Sequence, residues 1–254
     1  MNDVTFIVKT FLRPKSLDRL IRSIRRSFAT APILVADDGP IAPPLSLDGA
    51  IKVIRLPFDT GLAEGRNRLV AQVETPFLCN LDDDWELVPE SNVECMSAVL
   101  RSKQFDLVAG RLKWAEPPYW IVRYEGMLHR NGSELVMDAA ELRGGLVPVN
   151  GFNVEYRRAE IVHNFFLAKT QSIRRVGWDP QFKIGAEHAD FFWRAKGILK
   201  IAFCPQSWVN HYRDEEGARY TEYRRRANDA QTRFLTKHGF TRIRRQPPEY
   251  WNYR

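Results

Sequence analysis

The stretch Phe77-Leu-Cys-Asn-Leu-Asp-Asp-Asp-Trp-Glu86 runs an apolar strand-like segment straight into three consecutive carboxylates, Asp82, Asp83 and Asp84. Like charges stacked at the end of a buried strand repel one another and resist desolvation, so a compensating cation is expected beside them. In an extended segment side chains two apart share a face, which puts Asp82 and Asp84 on one side and Asp83 on the other. Two carboxylates side by side at a sheet edge suit Mg²⁺ or Mn²⁺, hard cations that take oxygen ligands and leave positions for phosphates. The bland alternative is three solvated loop acids ahead of the helix that follows Pro89. The segments on either side decide between the two.

Upstream, Val4-Thr-Phe-Ile-Val-Lys9 is a β-branched and aromatic run. Residues 16 to 28 follow it with Leu17, Leu20, Ile21 and Ile24 at helical spacing. Pro32-Ile-Leu-Val-Ala36 reads as a second strand ending at Asp37-Asp38-Gly39, and Ile51-Lys-Val-Ile-Arg-Leu56 as a third. Residues 61 to 73 are helical in period, and residues 77 to 81 make the fourth strand. Alternating strands and helices predict an α/β, Rossmann-like, mostly parallel sheet with helices on both faces. In such sheets ligands gather at the carboxyl ends of the strands. The polar clusters Thr10 to Arg13, Asp37 with Asp38, and Asp82 to Asp84 all fall at those ends.

Downstream, a helix to about residue 103 leads into a strand over 105–110. Residues 111 to 160 mix aromatic, glycine and charged residues, among them Trp114, Trp120, Gly144 and Gly145, and read as a strand-and-loop region that could shape a second substrate pocket. An apolar run, Asn164-Phe-Phe-Leu-Ala168, precedes the acidic patch Glu187-His-Ala-Asp190. That patch opens a helix ending near Gly197, followed by a strand over 200–203 and a closing helix over 220–238.

At 254 residues and 44% hydrophobic content the chain can bury a sizeable core. No run approaches the roughly 20 apolar residues of a membrane span, and the start lacks a signal-peptide layout, so the expected compartment is cytoplasmic. The three cysteines lack metal or disulfide spacing. The net charge of +7 belongs to the tail. From Arg219 onward there are ten Lys or Arg against three acids, leaving the first 218 residues with 28 of each sign.

Two further clusters could carry chemistry. His211, just after a late strand, could close a metal site begun at Asp84. In the patch, Glu187 and Asp190 lie one helical turn apart and can face one cleft, where a carboxylate would take a proton from a hydroxyl nucleophile. Helix-start acids favoured by the dipole are the plain alternative.

The ordered set Lys9-Thr-Phe-Leu-Arg-Pro14, Val35-Ala-Asp-Asp-Gly39, Gly65-Arg-Asn67, Asp82-Asp-Asp84, Asn164-Phe-Phe-Leu-Ala-Lys-Thr170 and Val176-Gly-Trp-Asp179 resembles the GT-A nucleotide-sugar glycosyltransferases of the family 2 type. In wording it is most similar to the beta-1,4-N-acetylgalactosaminyltransferases, over roughly residues 4 to 212. The resemblance implies a GT-A domain over 1–212, with a nucleotide-binding half at 1–110 and an acceptor-binding and catalytic half at 111–212, followed by a basic helix and tail at 213–254. It implies an inverting, metal-dependent transfer from a UDP-sugar, with an N-acetylhexosamine favoured, to a hydroxyl of a glycan or glycolipid. Thr10, Phe11 and Arg13 would line the nucleotide pocket, Asp38 or Asp37 would bond the uracil, and Arg66 would lie along base and ribose. Asp82 would face the ribose, Asp83 counts with it among the nucleotide-sugar-binding residues although alternation points it the other way into a structural place, and Asp84 with His211 would hold Mn²⁺ or Mg²⁺. The family pattern implied by the resemblance is an acidic pair followed two residues on by another acid, and this chain has His188 as the second member of the pair. In the N-acetylgalactosaminyltransferase likeness the surviving acid lines up with Asp190, which is preferred as base, with Glu187 the alternative and His188 a group that bonds the acceptor or holds the base.

A sugar nucleotidyltransferase would need a glycine-rich loop after the first strand, and residues 9 to 14 contain no glycine. The tail, with Arg224-Arg-Arg226, Arg242, Arg244, Arg245, Tyr250, Trp251 and Tyr253, suggests a non-catalytic alternative. It would bind glycan, nucleic acid or, more readily, an anionic membrane at its inner face. Against that, Tyr220, Tyr223, Ala227, Ala230 and Phe234 form one stripe, so half of the closing helix is expected to pack on the domain.

Overall fold

Seven consecutive buried residues make β1 (Val4–Thr10) the spine of the molecule. The computed structural model describes residues 2–43, 49–102, 105–117, 119–149, 151–212 and 218–246, without the side chains of 218, 219, 224, 226 and 228. After β1 come α1 (Pro14–Ser27), β2 (Ile33–Asp37), β3 (Ile51–Arg55), α2 (Leu62–Gln72) and β4 (Phe77–Asp82). Strands β3, β2, β1 and β4 lie side by side and all run parallel. Pro14 occupies the first turn of α1, where its missing N–H costs nothing. Leu17, Leu20 and Ile24 of α1 pack with Phe6 and Val8 on one face, while Leu69 and Val70 of α2 pack with Ile7 on the other. Helices therefore cover both faces, as the period of the sequence predicts.

The second half departs from a mostly parallel sheet. It comprises β5 (Trp85–Glu86), α3 (Val93–Ser102), β6 (Leu107–Trp114), β7 (Ile121–Val122), β8 (Met127–Asn131), β9 (Glu134–Asp138), β10 (Arg143–Val149), β11 (Phe152–Ala159) and β12 (Phe166–Lys169). Then follow α4 (Thr170–Val176), α5 (Glu187–Ala195), β13 (Ile201–His211), α6 (Ala218–Arg224), α7 (Asn228–His238) and β14 (Arg242–Gln246). The apolar run at 164–168 supplies β12, which inserts antiparallel between β4 and β6. Beyond it β13 runs parallel to β6, and β11 and β10 are antiparallel, so the large sheet is mixed. The insertion matters for function because it carries Asn164 to the end of β4, where Asn80 Nδ2 donates to its carbonyl at 2.8 Å.

A three-stranded sheet forms from the β8–β9 hairpin and β14. Gly132 takes a positive φ of 56° in the two-residue turn, the conformation such hairpins need and side chains resist. The C-terminal segment is tied into the domain: Ala230 and Phe234 are fully buried, and β14 pairs parallel with β9. No helix among the described residues is long and apolar enough to cross a membrane.

Candidate active site

The carboxyl ends of β1, β2 and β4 open into a cavity of about 690 Å³, within the usual range for a small-molecule site. The loop before α5, the end of β13 and the face of α6 and α7 complete its walls.

Two arginines compensate the acid triplet. Strand β4 ends at Asp82 and the chain turns at Asp83 and Asp84, so the expected alternation of side chains does not hold. Asp82 Oδ1 accepts from Arg66 at 2.5 Å, and Asp82 Oδ2 accepts from Asn164 Nδ2 at 3.3 Å. Asp83 and Asp84 share Arg13, at 2.6 and 2.7 Å, and Asp83 also accepts from Thr10 Oγ1 at 2.6 Å. Leu12 takes a left-handed φ of 60°, a strained conformation for a non-glycine residue. The turn it makes lets Thr10 and Arg13 converge on Asp83.

Charge balance alone therefore does not demand a metal. What points to one is the pair Asp84 and His211, whose Oδ2 and Nε2 lie 3.3 Å apart at the cavity wall. Burial raises Asp83 to about 6, against Arg13 and with the Asp84 charge adding. Burial would raise Asp84 too, but the hydrogen bond from His211 and the charge of Arg13 outweigh it and hold Asp84 below the usual carboxylate range. Asp84 is thus anionic, the form a metal requires. Among the described residues no three His, Cys, Asp or Glu form a complete metal cage. One carboxylate and one imidazole nevertheless fit Mn²⁺ or Mg²⁺, which commonly keep positions for substrate phosphates.

Asp38 and Asp37 separate cleanly. Asp38 lines the cavity, paired with Lys9 Nζ at 2.5 Å and with the Gly61 N–H at 2.7 Å. Asp37 pairs with Arg55 and accepts from the Gly39 N–H at 2.8 Å. Lys9 is a wall residue to which sequence reasoning assigned no role. Its signal was a lysine inside an otherwise apolar strand. Burial pushes its ammonium down, against the opposing charge of Asp38. Its stem crosses α2 at Gly65 so closely that an added Cβ there would force the Lys9 stem to shift. Phe11 stacks edgewise on Tyr223 at 5.1 Å, and the Arg13 guanidinium lies over Tyr220 at 4.6 Å. Both tyrosines belong to α6, so the segment expected as a basic tail supplies part of the cavity wall.

Arg66, expected along base and ribose, is instead fully buried behind the wall, between Asp82 and Glu187. Glu187 opens α5, after Ala186 at a left-handed φ of 60°, and lines the cavity. Burial raises its carboxyl and the Asp82 charge adds to that, while Arg66 opposes both. His188 turns away from the cavity. Its Nδ1 meets Asn164 Oδ1 at 2.7 Å, its ring packs on Tyr124 and Phe192, and burial holds it neutral.

Asp190, the preferred base, does not reach the cavity. It is fully buried and accepts from Arg194 Nε at 2.7 Å, Lys237 Nζ at 2.5 Å and His238 Nε2 at 2.8 Å. It anchors α7 on α5. One helical turn does separate positions 187 and 190, but α7 covers the second of them.

Of the basic tail, Arg242 and Arg244 pair with Glu134, and Arg245 lies over Tyr124. Tyr250, Trp251, Tyr253 and the side chains of Arg224 and Arg226 lie outside the described residues.

Comparison with known proteins adds an independent line. The profile of glycosyl transferase family 2 matches residues 5–134. Mouse beta-1,4 N-acetylgalactosaminyltransferase 2 is 34% identical over 211 residues, covering 83% of this chain and 39% of the relative. Human beta-1,4 N-acetylgalactosaminyltransferase 1 is 33% identical over 214 residues, covering 82% and 38%. The chain thus spans under two fifths of the length of these curated relatives. Among solved structures, GalNAc-T7 with UDP, GalNAc and Mn²⁺ superposes with a TM-score of 0.61 at 17% identity, over 84% of this chain and 44% of that one. TarS of S. aureus in complex with UDP-GlcNAc superposes with a TM-score of 0.57 at 16% identity, over 84% and 59%. Likenesses of this kind show a shared fold, the GT-A fold.

Proposed function

The chain belongs to glycosyl transferase family 2, and on that premise we propose that it is a metal-dependent, inverting transferase. It would move an N-acetylhexosamine from a UDP-sugar to a hydroxyl of a glycan or glycolipid acceptor. The observation that carries the reading is one cavity lined by Asp84 and His211 and by the carboxylate of Glu187.

Asp38 retains lone pairs beyond those used by Lys9 and Gly61, and accepts the imide N–H of uracil. Phe11 and Tyr223 give the base an apolar wall. Asp82, held from behind by Arg66 and Asn164, presents its carboxylate to the ribose. Asp84 and His211 would hold the divalent cation, which when bound neutralises charge on the departing diphosphate. Arg13, already beside Asp84, adds a second positive group on that side. Glu187 takes the proton from the acceptor hydroxyl as its oxygen bonds to the anomeric carbon. The bond to UDP breaks with its electron pair leaving on the diphosphate. A single displacement of this kind inverts the anomeric configuration. Burial of Glu187 lifts its proton affinity towards that of a useful base.

The donor half of the proposal predicts a ranking. With Mn²⁺ present, UDP release from UDP-N-acetylgalactosamine or UDP-N-acetylglucosamine should outpace release from UDP-galactose or UDP-glucose. Equal or faster use of the sugars without an acetamido group would rule out the N-acetylhexosamine preference. Failure to consume any UDP-sugar would rule out the transferase reading.

A further inference from the structure

Among the described residues, Arg66 is the largest fully buried side chain. A guanidinium so placed is costly unless its charge is matched. The match comes from two carboxylates far apart in sequence. NH2 lies 2.5 Å from Asp82 Oδ1 and NH1 lies 3.4 Å from Glu187 Oε1, while Nε has no hydrogen-bond partner. Both carboxylates line the cavity and Arg66 does not. Its plane faces Trp178 at 5.6 Å, in a segment fixed to α2 by Asn67, which hydrogen-bonds the Trp178 N–H and carbonyl at 2.8 Å each.

We infer that Arg66 is a positioning residue that joins the donor-side carboxylate Asp82 and the base Glu187 into one charged unit and so aims the base. The inference rests on Glu187 being the base. The charged groups that face Glu187 are Arg66 from α2 and Asp82 from β4. Its helix neighbours are engaged elsewhere, His188 with Asn164 and Asp190 with Arg194, Lys237 and His238, and Lys183 of the preceding loop pairs with Asp59. Glu187 touches neither Asp84 nor His211 in any of these contacts.

The fork of the guanidinium is what allows the bridge. A lysine concentrates the charge at one atom and lacks the planar fork whose two arms reach Asp82 and Glu187 here. Charge and geometry can therefore be removed separately. Burial and Asp82 both raise the Glu187 carboxyl and Arg66 opposes them, so removing the positive charge raises it further. A base is active above its pKa, so the acid limb of the rate profile must then move to higher pH.

The test is the pH dependence of UDP release from UDP-N-acetylgalactosamine with Mn²⁺, kcat and KM resolved, for the full chain and for Arg66→Met, Arg66→Lys and Glu187→Gln. Melting temperatures confirm that each variant folds. In Arg66→Met the acid limb should rise by about one pH unit or more, the usual effect of losing an opposite charge at this distance. In Arg66→Lys the limb should stay in place while kcat falls, by up to about 10²-fold, from misplacement of the base. An acid limb in Arg66→Met where the wild-type protein has it, with Glu187→Gln inactive, would overturn the role of Arg66 and leave the base assignment standing. Wild-type turnover by Glu187→Gln would overturn the base assignment and this inference together.

Discussion

Asp84→Ala should remove UDP-sugar turnover, lowering kcat by about 10³-fold, equivalent to roughly 4 kcal/mol of lost transition-state stabilisation. Asp84 is the anionic partner of His211 at the cavity wall, and the only one of the three triplet acids that touches an imidazole in the described contacts. The alanine change also frees one arm of Arg13, so a loss of activity could come from local repacking. Asp84→Asn separates the two effects because it keeps the shape and removes the charge. Both variants should be inactive, and neither should show tighter UDP binding when Mn²⁺ is added. Activity in either variant at the wild-type level and without dependence on metal would refute the assignment.

Glu187→Gln should be the second severe lesion, with kcat reduced by about 10²–10⁴-fold, the range typical of losing a general base. The amide oxygen can still face Arg66, so KM for the UDP-sugar should change little. Asp190→Asn provides the contrast. It leaves Arg194, Lys237 and His238 around a neutral amide, and breaking a buried pair in this way costs about 3 kcal/mol or more. The melting temperature should fall while turnover per folded molecule stays near that of the wild-type protein. If Asp190→Asn is stable and inactive while Glu187→Gln is active, the roles assigned to the two acids are reversed.

Those two carboxylates also show where sequence reading stops. The first half of the large sheet is legible because its signals are local: β-branched runs for β1 to β4, and Leu17, Leu20, Ile21 and Ile24 spaced to face a sheet. The choice between Glu187 and Asp190 is not local. It depends on α7, almost fifty residues later, placing Lys237 and His238 over one of two positions that look equivalent on a helical wheel. The acid triplet is legible as a cluster at a strand end beside a cavity but not in its geometry. Alternation holds only while the strand continues, and β4 stops at Asp82. The burial of Arg66 is hidden from the sequence for the same reason. Position 66 on α2 can face the ligand or the layer behind it, and Glu187, 121 residues away, decides which. The mixed part of the sheet was hidden because the run that forms β12 looks alike whether it pairs parallel or antiparallel. The last described segment reads as basic by its charge, and the stripe of Tyr220, Tyr223, Ala227, Ala230 and Phe234 predicts its packing on the domain; that this packing reaches the cavity is visible only in the fold.

The central claim, that this cavity binds a UDP-sugar through a divalent cation held by Asp84 and His211, can be tested without knowing the acceptor. The measurement is the melting temperature of the protein with UDP-N-acetylgalactosamine, in the presence of Mn²⁺ and again after chelation. A saturating ligand at about 100 times its Kd contributes roughly 2.7 kcal/mol, or about 5–10 °C for a chain of this size. The account predicts a rise of that order only when nucleotide sugar and metal are both present. The same rise after chelation, or no rise in either condition, would contradict it.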